Sequence, residues 1–517
     1  MPHPSITAET YPHKPAIIMG GSGEMVTYRQ LDERSNQAAQ LFRSLGLQAG
    51  DHIGLMVENH PRFLEIIWAA QRSGLVFTPV STHLTKDETA YIMENCGAKL
   101  FIGSLALATV AEELRQESTG VQHFYMVGGI RPGFESWEEA IDAQPAERIA
   151  DEGNGMPMLY SSGTTGKPKG VFVQAASDDV NSPSPVATLT AAVFGFGEET
   201  VYLSPAPLYH AAPLHYCMAA TYNGGTIIVM EKFDAETSLK LIEEHRVTHS
   251  QWVPIMFIRM LKLPDEVRQA YDLSTLQVAI HAAAPCPVEV KEKMIEWWGE
   301  VIVEYYSSSE GVGFTLIDSA NWMTHKGSVG QALLGEIHIV DEDGNELPPG
   351  EIGTVYFGGE QATFEYFNEP EKTKEAYHAS GWATCGDVGY VDEEGFLYLT
   401  DRKNFTIISG GVNIYPQEIE NALINHDKIA DVAVFGVPHE EFGEEVKAVV
   451  QPVNWADATD ETAIEILEWL RDKISHIKMP RSLDFHPELP RMDNGKLYKR
   501  RLVEEYRAGE NRSEMGG

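Results

Sequence analysis

Between residues 28 and 310 the spacing of apolar residues switches repeatedly between a helical and a strand period. That alternation limits the fold more than any other feature. LDERSNQAAQLFRSLG carries apolar residues at helical spacing and closes on glycine. DHIGLMV has strand texture, PRFLEIIWAAQRSG returns to the helical period, TKDE at 85–88 predicts a capping box, and KLFIG is strand again. A second series runs through TVYLSPAP, TIIVMEKF, SLKLIEEHRVTHSQWVP, LQVAIHAAAP and VIVEYYSSSEG. Strands separated by helices imply parallel, helix-covered sheets.

From about residue 328 the texture changes. HIVDEDGNELPPGEIGTVYFGG sets turn residues between short β-rich runs, which predicts a small antiparallel sheet or barrel. After Arg402 a third pattern begins: strand FTIISGG, helix PQEIENALINH opening on proline, strands DVAVFGV and EVKAVVQPV, and helix TAIEILEWLRDKIS. The expected fold is therefore α/β: a large N-terminal domain over 1–401 with parallel-rich sheets, helices and a small β-barrel-like subdomain, then a small α+β domain over 402–517. A length of 517 residues is too great for one core.

Thirty-nine basic against 76 acidic residues give a formal charge of -37. Nucleic acid and anionic membrane surfaces would be repelled, so neither is expected as a partner. An anionic ligand has to be held by local cations against the global field. Four cysteines, far apart and in no metal-like spacing, are expected as free thiols in a reducing cytosol. No apolar run approaches membrane-spanning length and no signal-peptide pattern opens the chain, so a cytoplasmic location is expected.

The most chemically loaded stretch is YSSGTTGKPKGV at 160–171. Its glycines and lysines suit phosphate, yet it is not the P-loop G-x-x-x-x-G-K-[ST]. Gly163 and Gly166 stand too close together, and Pro168 after Lys167 supplies no Mg²⁺-binding hydroxyl. Five other patches each admit a bland alternative. EYYSSSEG could help seat Mg²⁺ through its carboxylate or be a polar βα turn capping the next helix. In GWATCGDVG, Asp387 could bind ribose hydroxyls or sit in a tight turn. DRKNFTIISGGVNIYPQEIE could be an anion site, a hinge or a charged linker. PRMDNGKLYKR could be a working lysine turn or a solvated basic tail. APLYHAAPLHYCMAATYNGG holds His210, a residue type that in apolar surroundings is more often core than catalyst.

In this order YSSGTTGKPKG, YYSSSEG, CGDVG, DRKNFTIISGGVNIYPQEIE and MDNGK resemble the motif series of the adenylate-forming superfamily. That group holds acyl-CoA synthetases, carrier-protein-loading adenylation domains and beetle luciferases. The resemblance spans about residues 10–502, and HAAAPCP, PLYHAAPLHY and GGVNIYPQEIE look most like carboxylate:CoA ligases. It implies an ATP-dependent carboxylic acid:CoA ligase that forms an acyl-AMP and pyrophosphate before a thiol displaces AMP. ATP, Mg²⁺ and coenzyme A are the implied cofactor and co-substrates, and a homodimer is the family-level possibility. Ser161, Ser162, Gly163, Thr164, Thr165, Gly166, Lys167 and Lys169 would wrap the outer phosphates, with Thr165 and Glu310 helping to seat Mg²⁺. Ala283, Ala284, Glu304, Tyr305 and Tyr306 would form the adenine floor and Ser309 would meet the α-phosphate. Asp387 and Arg402 would take the ribose, and Lys496 would stabilise charge at the reacting phosphorus. Gly410 and Gly411 would flank the CoA channel. His210 would gate an acyl pocket that Tyr222, Trp252, Ala282 and Gly311 line, and Asn404 would be the hinge of a mobile C-terminal domain.

This chain departs from that pattern at four positions. Asn404 stands where the pivot is usually Asp or Lys, and Phe405 removes a usual acid. Ser307 and Ser309 replace the usual glycine and threonine. The implied acid is fatty, aryl-alkanoic or a steroid side-chain acid. A carrier-protein-loading adenylation enzyme and a non-catalytic nucleotide binder are the alternatives.

Overall fold

The computed structural model describes residues 3–117, 119–161, 168–173, 177–359, 364–402, 405–409, 412–439, 442–491, 497–499 and 501–506. Side chains are described for these apart from those of Ser161, Asp401, Arg402 and Asn413.

The expected alternation builds two parallel-rich sheets. One runs, edge to edge, Gln331–Leu334, Phe314–Asp318, Ile302–Ser307, Val278–His281, His249–Trp252, Val201–Ser204, Thr226–Val229, Pro15–Met19 and Met25–Thr27. Its strands from Ile302–Ser307 to Pro15–Met19 are parallel, and both ends finish in antiparallel pairs. The second orders Glu135–Ser136, His123–Val127, Leu100–Ser104, His52–Met56, Val76–Pro79 and Met156–Pro157, all parallel. Helices pack against these sheets because each buries one apolar stripe. In Pro61–Arg72 nearly every side chain is buried, as expected of a helix covered on several faces. Thr85 and Glu88 do form the capping box at the start of Lys86–Cys96.

The region beyond residue 328 is antiparallel, in the order Glu336–Val340, Gly353–Gly358, Asp387–Val391, Leu397–Arg402. A smaller antiparallel sheet of Phe364–Tyr366, Lys169–Val173 and Leu159–Ser161 faces it. Val171, Phe364 and Tyr366 from one and Ile339, Val355, Phe357 and Leu397 from the other share a single apolar core. The last sheet draws on strands from Ile407 onward, with helices Pro416–Leu423 and Asp460–Arg471 beside it, and forms a separate C-terminal domain. It touches the N-terminal part where the Lys262 ammonium donates to the Ile429 carbonyl. Among the described residues no helix is long and apolar enough to cross a membrane.

One sequence expectation is corrected here. SSSEG does not turn into a helix: Ile302–Ser307 pairs antiparallel with Phe314–Asp318, so the segment between them is the loop of a hairpin. The short apolar run FTLID does not by itself distinguish strand from helix. The opening residues are also built into the fold. Helix Pro4–Thr10 precedes a hairpin that pairs Ile17 with Ile227 across more than 200 residues.

At the start of Asp387–Val391 the pairing with Leu397–Arg402 slips by one residue between Val388 and Gly389. Such a bulge re-aims the side chains that precede it. It depends on Gly389, where a Cβ would lie 2.3 Å from the Tyr398 carbonyl oxygen. Gly389→Ala is expected to destabilise the fold by roughly 2–4 kcal/mol, since backbone has to move to admit the methyl. Chemical denaturation of the variant measures the loss, and an unchanged midpoint would refute the close approach.

Candidate nucleotide and acyl site

Strand ends determine where the chemistry collects. Ile302–Ser307 carries Glu304, Tyr305 and Tyr306 to the C-terminal edge of the large sheet, and Glu310 follows in the hairpin loop. Lys169 and Ser161 face each other across the antiparallel pair Leu159–Ser161/Lys169–Val173. In sequence, the glycine- and hydroxyl-rich stretch lies between these two strands. Asp387 opens its own strand, opposite Arg402.

Two tyrosines join these pieces. The Tyr306 hydroxyl donates to Asp387 Oδ2 at 2.7 Å, and the Tyr366 hydroxyl donates to Glu310 Oε1 at 2.9 Å. Both carboxylates are buried, at 8% exposure. Lys169 lays its ammonium 4.6 Å from the Tyr366 ring centre, so a cation, a ring and a carboxylate stand in series. Tyr366 was not among the residues picked from the sequence; an aromatic inside FEYFN carries no motif to single it out.

Below them the floor is close-packed. Tyr305 stacks on Phe314 at 4.9 Å with planes 10° apart and on Tyr216 at 5.9 Å. Burial drives the Tyr305 phenol well above its ordinary pKa, so it stays protonated. Glu304 is buried against Lys291, 2.6 Å away, while burial raises its pKa and the lysine opposes that rise. Ala283, following strand Val278–His281, has φ 76°, in the left-handed region that a residue with a Cβ rarely enters. Ser309 is exposed at the rim, and the Ser307 hydroxyl donates to the Gly313 carbonyl at 2.7 Å, inside the hairpin loop.

One cavity of about 1910 Å³ joins all of this. Lys169, Ala283, Ala284, Glu304, Tyr305, Tyr306, Ser309, Glu310 and Asp387 line it, as do His210, Tyr222, Trp252, Ala282 and Gly311. Its size exceeds that of an ordinary small-molecule pocket because it also reaches Tyr415, Glu420 and Lys499 of the C-terminal domain. His210 stands just before helix Ala211–Tyr222, its ring 4.5 Å from that of Tyr209. Trp252 touches the wall with little of its surface: the indole is 1% exposed, packs on Phe257 and Trp298, and donates to the Ser250 hydroxyl. Tyr222 donates its hydroxyl to the Asn181 carbonyl at 2.8 Å. Ser162, Gly163, Thr164, Thr165, Gly166, Lys167, Asn404, Gly410, Gly411 and Lys496 lie outside the described residues; for Ser161 and Arg402 the backbone alone is described.

Two buried carboxylates and a lysine stand around one cleft with a partly apolar channel beside it, and that lysine ends a stretch of phosphate-binding composition. The family model for AMP-binding enzymes matches residues 5–367, and that for the AMP-binding enzyme C-terminal domain matches 418–496. The chain belongs to the AMP-binding enzyme family, in the adenylate-forming superfamily. It is similar to feruloyl-CoA synthase of Amycolatopsis sp., 31% identical over 495 residues, covering 95% of this chain and 96% of that one. It is also similar to a long-chain-fatty-acid–CoA ligase of Mycobacterium tuberculosis, 30% identical over 503 residues and covering 97% of each. Among solved structures, ATP-bound MatB from Rhodopseudomonas palustris superposes with TM-score 0.79 at 27% identity, over 98% of this chain and 99% of that one. A Mycobacterium tuberculosis fatty acyl CoA synthetase does so with TM-score 0.71 at 27% identity, over 98% of each. By class the protein is an AMP-forming acid–thiol ligase.

Two outcomes follow from this geometry. Lys291→Met leaves Glu304 buried without its cation and should cost about 3–5 kcal/mol, whereas Lys291→Met with Glu304→Leu should recover most of it. Equilibrium unfolding of both variants measures this. Tyr306→Phe removes the donor to Asp387 and should weaken nucleotide binding roughly tenfold with little loss of fold stability. Calorimetric titration with ATP reads the first effect and the melting temperature the second.

Proposed function

We propose that this chain activates a hydrophobic monocarboxylic acid with ATP and passes the acyl group to the thiol of coenzyme A. A carboxylate resists attack because it is negatively charged and oxide cannot leave. Joining it to the α-phosphate of ATP expels pyrophosphate and turns the oxygen into part of AMP, a good leaving group; the thiol then displaces AMP. The observation that carries this reading is the convergence of Tyr306–Asp387, Glu310–Tyr366 and Lys169 on one cavity continuous with the channel along Ala211–Tyr222.

In this reading Asp387 accepts from the ribose hydroxyls, held at one oxygen by Tyr306, and Arg402 joins it. The backbone turned at Ala283, with Ala284, Glu304, Tyr305 and Tyr306, forms the adenine site. Ser161 to Lys169 grip the outer phosphates, and Ser309 meets the α-phosphate. Glu310 suits Mg²⁺: it is a hard oxygen ligand, one oxygen is fixed by Tyr366, and no described residue bonds to the other. With Thr165 it would hold the ion, which when bound neutralises phosphate charge. Lys496 supplies positive charge at the reacting phosphorus. His210 gates the acyl channel, Gly410 and Gly411 border the thiol's path, and the domain over 402–517 swings about Asn404 between the two half-reactions. The channel's alanines, aromatic rings and aliphatic side chains favour a fatty, aryl-alkanoic or steroid side-chain acid. The names of the two relatives, one aryl and one fatty, support that range. A reducing cytoplasm fits the four free thiols.

Acid-dependent exchange of labelled pyrophosphate into ATP tests the first half, and acyl-CoA formation without any carrier protein tests the acceptor. Lys496→Ala should abolish exchange while sparing transfer from supplied acyl-AMP to CoA. Equal loss of both half-reactions would count against the swing.

A further inference from the structure

Helix Ala211–Tyr222 lines the cavity with Ala211, Ala212, Pro213, His215, Tyr216, Met218 and Tyr222; of these Ala211, His215, Met218 and Tyr222, spaced four, three and four residues apart, form a stripe along its length. Those intervals keep side chains on one face, while Leu214, Cys217 and Ala220 turn into the core. The helix therefore forms a wall of the acyl channel that runs about 16 Å from the His210 end to Tyr222. Val186 and Leu189 of the neighbouring helix Pro185–Phe194 line the same cavity.

On this otherwise apolar stripe His215 is the anomaly. The residue is half-buried and lines the cavity, and no described residue hydrogen-bonds to its ring. A polar ring held in an apolar channel at the cost of lost hydration is explained by a partner that arrives with the substrate. The Tyr222 hydroxyl spends its proton on the Asn181 carbonyl, and the Tyr216 hydroxyl, though its residue also lines the cavity, is fully buried beside the stacked Tyr305 ring. Burial pushes the His215 imidazole down to about 4, so at neutral pH it is uncharged and offers one N–H donor and one nitrogen acceptor. Such a ring pairs with a hydroxyl, which can both give and take, and has no charge for a second carboxylate. Among the described residues the cavity's lysines and arginines are Lys169, of the small sheet, and Arg491, Lys499 and Arg501 of the C-terminal domain, none of them on these helices. A dicarboxylic acid would bury its far charge unpaired.

We propose that His215 is the specificity-determining residue for a hydroxyl on the acyl substrate, and that the preferred acid is a hydroxylated monocarboxylic acid. Its hydroxyl lies about 6 Å along the channel from the Ala211 level, with an apolar portion continuing toward Met218. This rests on the acid–CoA ligase reading above.

The test uses the purified full chain and matched acids: phenylpropanoic acid against its ring-hydroxylated form, octanoic acid against mid-chain hydroxyoctanoic acids, and the corresponding diacids. Pyrophosphate release with ATP, Mg²⁺ and CoA gives kcat/KM. In at least one pair the hydroxylated member should be preferred roughly tenfold, mainly through KM, and every diacid should be disfavoured. His215→Leu should erase the preference, its kcat/KM falling roughly tenfold on the hydroxylated member and by less on the plain one, and His215→Gln, which keeps a donor and an acceptor, should retain part of it. Wild-type indifference to the hydroxyl in every pair overturns the proposal, as does an equal loss on both members in His215→Leu. The wild-type comparison decides even if a variant fails to fold. Brisk turnover of plain acids alone sinks this inference and leaves the ligase intact; no turnover or exchange with any acid in a broad graded panel sinks both.

Discussion

Two tyrosine hydroxyls, each donating to a buried carboxylate, hold the working parts of this protein in register. Tyr306 belongs to the large parallel-rich sheet and Asp387 to the four-stranded antiparallel one. Tyr366 belongs to the small sheet that also carries Lys169, and Glu310 to the loop joining Ile302–Ser307 to Phe314–Asp318. Each pair thus spans a junction between separately built elements. A hydrogen bond to an ionised carboxylate is worth more than a neutral one and loses its value steeply with misalignment.

This arrangement answers the difficulty set by the chain's charge. A net charge of -37 opposes the approach of any polyphosphate or carboxylate. Within the cleft the two carboxylates already have their negative charge partly offset by phenolic donors, and Lys169 brings positive charge to the same side. Glu304, deeper still, is neutralised by Lys291. The local field around the cavity is thus set by pairings at under 5 Å, whereas the global charge is spread over a surface screened beyond roughly 10 Å.

Much of this was legible in the chain. Alternating periods gave the parallel sheets, and TKDE and the proline opening PQEIE gave helix starts that the structure bears out. Asp387 and Glu310 stand in motifs with fixed neighbours, so their meeting at one cavity could be expected. What stayed hidden depends on distance or on shape. Nothing in PAIIM says that it pairs with a strand two hundred residues on, and nothing in FEYFN marks Tyr366 as the donor to Glu310. His215 was overshadowed by His210, which sits in a familiar setting. The signal was the four-three-four spacing of Ala211, His215, Met218 and Tyr222, which has meaning only once helix Ala211–Tyr222 is known to have a cavity along it.

Ala283 stands on the cavity wall in a strained conformation. A left-handed φ on a residue with a Cβ costs on the order of 1–2 kcal/mol, so its surroundings have to enforce it. The constraint is local: Ala282 still donates to the Trp252 carbonyl at 3.3 Å, and helix Val288–Trp298 begins a few residues later behind two prolines. Between these fixed points the backbone has to turn sharply off the end of strand Val278–His281, and it does so on the wall of the cavity. Glycine would relieve the strain. The strand end before it and the prolines after it, not the methyl group, hold the turn, so Ala282 and Ala284 keep their positions on the cavity wall.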